Sequence, residues 1–223
     1  MTTNLYIIRH GLAYPNVERV LGGMEGDRGL TERGFAQARA LAQRLTTGEI
    51  TADVLYASTF PRARMTAELV SEALMLPIEW DADLQEIRPG EADGLTVDEA
   101  RERHGDTFGR FLDEIYTPIA PGGESWGAFQ MRVSAALERL ILRHQGKNIV
   151  VVAHGGVIEV SFFHFLGLGP QTRTYASFYA RNTAITHWRY AQSFNDRWEW
   201  HMVTHNDYRH LVGLDGEGFS VDI

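Results

Sequence analysis

Short apolar runs alternate with longer amphipathic segments along most of this chain, and this alternation constrains its fold more than any other feature. The runs Leu5–Ile8, Val54–Ala57 and Ile149–Ala153 have the length of buried strands. Apolar residues at helical spacing separate them. Strand–helix–strand alternation predicts an α/β fold of three layers, in which a mainly parallel sheet lies between helices on both faces.

Local signals indicate where several helices begin. Thr31 is a suitable N-cap for a helix that continues to Leu45, with Gly48 as a stop signal. Pro61 stands where a second helix would start. Further helices are predicted around residues 129–141 and 157–166, and further strands around residues 183–188 and 198–202.

The segment from Leu84 to Ser125 departs from the alternation. It is rich in acids, glycines and prolines and has only short helical patterns, of which Thr96 with Glu99 resembles a capping box. We therefore expect one domain over residues 1–223, with residues 84–125 as an insertion that lies over the core and the functional site.

Composition excludes several classes of function. The chain has 223 residues, a net charge of −8 and no cysteine. Binders of nucleic acid or anionic membranes rely on surplus positive charge, so we expect neither partner. Without cysteine, the chain has no disulfides, thiol catalysis or Cys-ligated zinc. No apolar run has the length of a signal peptide or membrane span, which predicts a cytoplasmic protein. A homodimer is compatible with an edge strand and exposed aromatic residues.

Residues suited to phosphate chemistry follow three of the predicted strands. The carboxyl ends of neighbouring parallel strands meet at one edge of a sheet, where ligands bind. Arginine binds phosphate oxygens in bidentate fashion, and a neutral imidazole can attack phosphorus. The residues at these ends are Arg9-His10-Gly11, then Ser58 and Arg62, and lastly His154-Gly155-Gly156.

Two simpler interpretations apply to the histidines. Arg-His-Gly alone is a weak signal, because Arg103-His104-Gly105 repeats it in a charged run without a preceding strand, where we expect a solvated helix end. A metal site is the second alternative, suggested by His201, His205 and His210. Residues four apart on a strand are about 13 Å from each other, too far to share one metal.

Taken in order and spacing, the motifs resemble those of the histidine phosphatase superfamily, also called the phosphoglycerate mutase-like family. The resemblance extends along nearly the whole chain. One departure is Ala13, where the family usually has Thr or Ser, so that a hydroxyl near the phosphate is missing. The matching stretches are Ile8–Gly11 with Asn16, Asp27, Leu30–Gly34 with Gln37-Ala38, Ser58 to Ala63 with Thr66-Ala67, Leu84–Glu86, Pro121–Ser125, Val152–Gly156 and Asn206-Asp207 with His210-Leu211.

The resemblance implies a phosphoglycerate mutase-like fold and a phosphomonoesterase that needs no metal or other cofactor and acts on a small phosphate ester. His10 would be the nucleophile and form a phosphohistidine. Glu86 would protonate the leaving oxygen and then activate the water that hydrolyses this intermediate. Arg9, Arg62 and His154 would hold the phosphoryl oxygens. The implied substrate-binding residues are Arg9, Asn16, Gly23, Arg62, His154 and Gly155.

Two further functions stay open. A cofactor-dependent phosphoglycerate mutase would need more positive charge around a second phosphate. The run from Glu86 to Gly94 is acidic and lacks the Tyr and Lys typical of that branch, which favours hydrolysis. A non-catalytic binder of phosphorylated ligands is the other alternative, and the intact catalytic motif argues against it. The aromatic residues expected near the organic part of the substrate are Phe108, Phe111 and Tyr116.

Overall fold

The chain folds around a six-stranded sheet with the strand order β3-β2-β4-β1-β5-β6. The computed structural model describes residues 1–171 and 176–214, so the predicted 1–223 domain includes residues outside the described ones. Strands β1 to β4 are parallel, whereas β5 and β6 are antiparallel to their neighbours. The strands are β1 (Thr3–Arg9), β2 (Val54–Ala57), β3 (Ile78–Trp80), β4 (Asn148–Ala153), β5 (Ile185–Gln192) and β6 (Trp198–Asp207).

Helices pack on both faces of this sheet. Leu5 and Ile7 of β1 belong to an apolar cluster with α5 and α6, whereas Ile8 belongs to a second cluster with α2 and α3. The predicted three-layer α/β fold with a mainly parallel sheet is therefore confirmed. Among the described residues, no helix combines the length and the apolarity needed to cross a membrane. The helices are α1 (Tyr14–Glu18), α2 (Glu32–Leu45), α3 (Pro61–Leu74), α4 (Val97–Asp113), α5 (Trp126–Arg143) and α6 (Gly155–Leu166).

The capping signals act as predicted. The Thr31 hydroxyl accepts a hydrogen bond from the amide of Gly34 at the start of α2, and Pro61 begins α3. Thr96 and Glu99 form a capping box at α4. Two elements were not predicted, namely β3 and α1. They contain three and five residues, which is too short for a periodic pattern to show.

Residues 84–125 contain α4 and their own small apolar cluster. Phe108 and Phe111 are buried in this cluster, whereas Tyr116 is exposed. Gly105 interrupts α4 with a φ of 44°. The second Arg-His-Gly therefore lies at a break between two helical segments, where Arg103 and Gly105 are exposed, as expected, and His104 is half-buried.

Close backbone packing positions the loop that follows β1. A Cβ atom on Gly11 would lie 2.6 Å from the carbonyl oxygen of Gly34, and a Cβ atom on Gly34 would overlap the carbonyl of Leu12. The amide and hydroxyl of Thr31 both donate to that Leu12 carbonyl, at 2.9 and 3.0 Å. The start of α2 is thus packed directly against the chain that carries His10.

This packing predicts opposite effects for two glycine substitutions in helices. We expect Gly34→Ala to lower the free energy of unfolding by about 1–3 kcal/mol, because the methyl group forces the backbones apart. Gly109→Ala, in α4 with no atom within 4 Å of the new methyl group, should raise it by up to about 1 kcal/mol. Urea unfolding of both variants measures the difference, and equal effects would contradict the close contact.

Candidate active site

The carboxyl ends of β1, β4 and β2 lie side by side at one edge of the sheet. Arg9 is paired with Ala153 across β1 and β4, and Ala57 is paired with Val152 across β2 and β4. His10 and His154, which follow the first pair, therefore leave the sheet together, with 5.2 Å between their ring centroids. Both side chains are buried. Three predicted strand ends converge as the parallel arrangement requires.

A cavity of about 390 Å³ opens at this edge. His154 lies behind its wall, with its ring in contact with His10, and Gly23 is not part of the wall. The sequence-predicted residues that line the cavity are Arg9, His10, Asn16, Arg62, Glu86 and Gly155.

His10 is held as a neutral imidazole with a defined tautomer. Its Nδ1 donates to the carbonyl of Gly11 at 2.7 Å, which leaves Nε2 without a proton. Nε2 accepts a hydrogen bond from Nε of Arg62 at 3.1 Å. Burial lowers the pKa of His10 well below its usual range, and the positive charges of Arg62 and Arg9 lower it further. The lone pair on Nε2 is thus unprotonated and is directed at the Arg62 guanidinium in the wall of the cavity.

Arg62 is fixed by a buried carboxylate. Nη1 donates to Oδ2 of Asp27 at 2.9 Å and to the carbonyl of Gly22 at 2.8 Å. The same carboxylate oxygen accepts the backbone amide of Arg62 at 3.1 Å. In the sequence, Asp27 is notable only as part of a stretch that resembles a family motif. Nothing else about an acidic residue in a glycine-rich loop predicts that it binds Arg62. It orients the guanidinium toward His10.

Arg9 is held by groups without a formal charge. Nη1 donates to the carbonyl of Ala180 at 2.6 Å, and the guanidinium carbon lies 5.9 Å from the ring centroid of Tyr179. Burial lowers the pKa of Arg9. Residues 177–180, which line the cavity, were not predicted because they precede β5 as irregular chain without periodicity. Glu159 also lines the cavity and was not predicted. Its position one helical turn after Gly155 and Gly156 is a signal in the sequence that could have identified it.

Glu86 reaches the cavity from the segment after β3. Its Oε2 accepts the amide of Gly156 at 2.9 Å, and its Oε1 accepts the amide of Ile87 at 3.0 Å. A Cβ atom on Gly156 would overlap Oε1. The second glycine after His154 is therefore needed for the carboxylate to approach the start of α6.

The nearby Asp93 has a different position. Its carboxylate accepts the amides of Gly23 at 2.7 Å, Glu25 at 3.1 Å and Gly26 at 3.0 Å. The amide of Gly23, predicted to bind the substrate, is therefore directed at this side chain. Asp93 joins the glycine-rich loop to residues 84–125.

Ala13 lies away from the cavity wall. It is fully buried beside Leu30 and Ala38, at the N-cap of α1. Its amide donates to Oδ1 of Asn16 at 3.1 Å. A hydroxyl at this position would thus lie inside an apolar cluster, at the start of α1.

The aromatic residues of the 84–125 segment do not line the cavity. The expectation that Phe108, Phe111 and Tyr116 contact the organic part of a substrate is wrong, because the first two form the core of the segment and the third faces solvent. Smaller apolar side chains take their place. The apolar wall is formed by Pro15, Val20, Leu21, Ile87, Pro89, Ile119 and Phe178.

The C-terminal histidines make hydrogen bonds to other side chains and to backbone. His205 contacts the hydroxyl of Thr186 at 3.1 Å and the carbonyl of Tyr179 at 2.9 Å. His210 contacts the hydroxyl of Thr183 at 3.0 Å. Within residues 1–171 and 176–214, no three acidic or histidine side chains are grouped as a metal site. His205 instead anchors the segment that lies against Arg9.

This fold and this site are typical of an α/β enzyme that handles phosphate. A family model described as the histidine phosphatase superfamily (branch 1) matches residues 5–207. The chain belongs to the histidine phosphatase superfamily.

The curated relatives include both phosphatases and mutases. The chain is 33% identical over 165 residues to phosphoserine phosphatase 1 of Hydrogenobacter thermophilus, which covers 74% of this chain and 76% of the relative. It is 29% identical over 225 residues to the metal-independent phosphoserine phosphatase of Arabidopsis thaliana, in an alignment that covers 99% of this chain and 89% of the relative. It is 31% identical over 176 residues to a 2,3-bisphosphoglycerate-dependent phosphoglycerate mutase of Brucella anthropi, covering 77% and 85%.

Solved structures share the fold over almost the whole length. Bacillus stearothermophilus YhfR matches with a TM-score of 0.79 and 30% identity, covering 94% of this chain and 99% of that one. A mutant phosphoserine phosphatase of Entamoeba histolytica in complex with phosphoserine matches with a TM-score of 0.75 and 26% identity, covering 94% and 99%. With the relatives, these matches identify the chain as a metal-independent phosphatase of a small phosphorylated metabolite.

Burial of His10 in its neutral form makes stability depend on pH. Because the pKa of His10 is lowered in the folded chain, the unfolded chain binds more protons, and stability falls as the pH drops below the usual histidine value of 6.5. One such group contributes a slope of up to about 1.4 kcal/mol per pH unit. We expect His10→Asn to reduce the slope of unfolding free energy against pH by up to this amount. Urea unfolding between about pH 5 and pH 8 measures it; an unchanged slope would show that His10 is not held neutral.

Proposed function

We propose that the protein hydrolyses phosphomonoesters through a phosphohistidine on His10. The observation that carries the proposal is the unprotonated Nε2 of His10, a residue of the cavity wall, whose Nδ1 is held by the carbonyl of Gly11. Nε2 would form a bond to phosphorus as the bond from phosphorus to the leaving oxygen breaks. Water would then attack the phosphohistidine, release inorganic phosphate and restore the neutral imidazole.

Buried polar atoms near His10 support the phosphate contacts. The donor Nε of Arg9 and the ring nitrogen Nδ1 of His154 are buried and have no hydrogen-bond partner within the described part of the chain. An unsatisfied buried donor is costly, and a phosphoryl oxygen would satisfy the guanidinium N–H of Arg9. Arg62, already aimed at Nε2 of His10, would contact a second oxygen. These cations would stabilise the charge that spreads over the oxygens in phosphoryl transfer.

Glu86 is the proposed proton donor. It would give its proton to the leaving oxygen in the first step and take one from the attacking water in the second. Its position in the cavity wall, across the start of α6 from His154, supports this role. Ile87, Pro89 and Ile119 also contribute to the wall, which supports residues 84–125 as the cap over the site.

We propose a substrate of the size of phosphoserine, since two relatives are phosphoserine phosphatases. Mutase chemistry is the second candidate, because a mutase is 31% identical. A second phosphate would need additional cations, and the described part of the cavity wall contains only Arg9 and Arg62, which both lie at His10. This charge distribution favours hydrolysis. A cytoplasmic location and a homodimer stay predictions.

Phosphate release across a panel of phosphomonoesters tests the activity. Phosphoserine, 3-phosphoglycerate and p-nitrophenyl phosphate would be compared for the native protein and for His10→Ala. We expect His10→Ala to lose at least about 10³-fold in turnover, because it removes the nucleophile. Rapid alkaline quenching of a reaction with phosphate-labelled phosphoserine should trap a base-stable, acid-labile label on the native protein alone. Turnover that survives in His10→Ala would exclude this mechanism, and binding without release would indicate a phospho-ligand binder.

The acid role of Glu86 predicts a dependence on the leaving group. We expect Glu86→Gln to lower turnover of phosphoserine by about 10²-fold or more, because an alkoxide leaves poorly without a proton. Turnover of p-nitrophenyl phosphate should fall far less, since nitrophenolate needs no proton. Glu91→Gln, an exposed acid of the same segment, is the matched control and should leave both rates unchanged. Equal losses on both substrates in Glu86→Gln would assign Glu86 another role.

A further inference from the structure

The segment that carries Glu86 has little regular structure of its own. Glu86 lies between two short 3-10 turns, Ala82–Leu84 and Gly90–Ala92. No strand ladder or helix fixes its backbone there. The position of a carboxyl that must transfer a proton therefore depends on contacts from other elements.

One side chain of α5 supplies most of these contacts. Nη1 of Arg132 donates to the carbonyls of Asp83 at 2.8 Å and Gln85 at 3.0 Å, and Nη2 donates to the carbonyl of Glu86 at 3.2 Å. Its remaining donors bind the carboxylate of Glu124, with Nε at 2.7 Å and Nη2 at 2.6 Å. All five N–H donors of the guanidinium are therefore used.

Glu124 extends the same network to the far side of Glu86. Its Oε2 accepts the amide of Arg88 at 3.0 Å, and its own amide donates to the carbonyl of Arg88 at 2.9 Å. The side chains of Arg132 and Glu124 are only 10% and 16% exposed. The segment is thus held at residues 83, 85, 86 and 88 by one ion pair.

We propose that Arg132 is a positioning residue, which sets the distance between the Glu86 carboxyl and the leaving oxygen. This inference rests on the proposed function. A buried ion pair seldom adds net stability over apolar packing, so its five directed hydrogen bonds are better explained by geometry. A planar guanidinium can bind three carbonyls and a carboxylate at once, whereas an ammonium has only three donors and no fixed fork.

Arg132→Lys and Glu124→Gln test the proposal, because both keep side-chain volume in a buried site. A misplacement of about 1 Å lowers proton-transfer efficiency by up to about 10²-fold. We expect kcat for phosphoserine to fall by about 10- to 100-fold in Arg132→Lys and to fall less in Glu124→Gln. For p-nitrophenyl phosphate, kcat should change less than about threefold, because its leaving group needs no proton. KM for either substrate should also change less than about threefold, because the variant affects proton transfer and not substrate binding.

Arg139→Lys is the matched control. Arg139 lies seven residues further on α5 and reaches the same segment from outside, where it binds the carboxylates of Asp81 at 2.7 Å and Asp83 at 3.2 Å. It contacts neither Gln85 nor Glu86. We expect no selective loss on phosphoserine in this variant, and a loss equal to that of Arg132→Lys would overturn the assignment.

Combination with Glu86→Gln separates positioning from general stability. If Arg132 acts through Glu86, Arg132→Lys should cause no further loss on phosphoserine in the Glu86→Gln background. Additive losses, equal losses on both substrates, or unchanged rates in Arg132→Lys would each overturn the proposal. A Glu86→Gln variant without leaving-group dependence would overturn the acid role and this inference together. If Glu86→Gln loses more turnover on phosphoserine than on p-nitrophenyl phosphate, while Arg132→Lys loses equally on both, this inference alone would be overturned.

Discussion

Parallel pairing of β1 with β4 is the interaction on which the site depends. The register that pairs Arg9 with Ala153 brings His10 and His154 to one edge, and β2 on the other side of β4 adds Arg62. A shift of one residue would move each side chain of β1 to the opposite face of the sheet. The apolar layers that bury Ile7 and Ile8 on opposite faces therefore also maintain the spacing of the two histidines.

Charges of both signs have separate places in the cavity wall. The chain carries a net charge of −8, and the wall holds Arg9 and Arg62 beside the neutral His10 together with the acids Glu86 and Glu159. Asp27 balances Arg62 by direct contact, whereas Arg9 rests on a carbonyl and an aromatic ring. Arg9 interacts electrostatically with Glu86, and its guanidinium is buried, where Coulomb attraction is stronger than in water. Under the proposed function, a phosphate ester would be bound by these residues at the strand ends and not by the charge of the whole chain.

Strand ends and caps were predictable because they follow from local rules. Arg9, His10 and His154 follow strongly apolar runs, and parallel strands allow few places for such residues to meet. Residues 177–180 and the bonds from Arg132 to the Glu86 segment were not predictable. They depend on irregular chain brought together by tertiary packing, which leaves no periodicity in the sequence. The prediction for Phe108 and Phe111 was wrong because composition alone does not distinguish an aromatic residue that packs in the core of an insertion from one that contacts a ligand.

The hydrogen bond from Nε of Arg62 to Nε2 of His10 has a consequence for reactivity. It engages the lone pair that attacks phosphorus in the proposed mechanism. An anion that drew the guanidinium toward its own oxygens would free the imidazole as it bound. Uncharged electrophiles, such as carboxylic esters or alkylating agents, would offer nothing to attract Arg62 and would meet a nitrogen that is already hydrogen-bonded. The proposed mechanism therefore implies that one cation would both bind the substrate and shield the imidazole from other reagents.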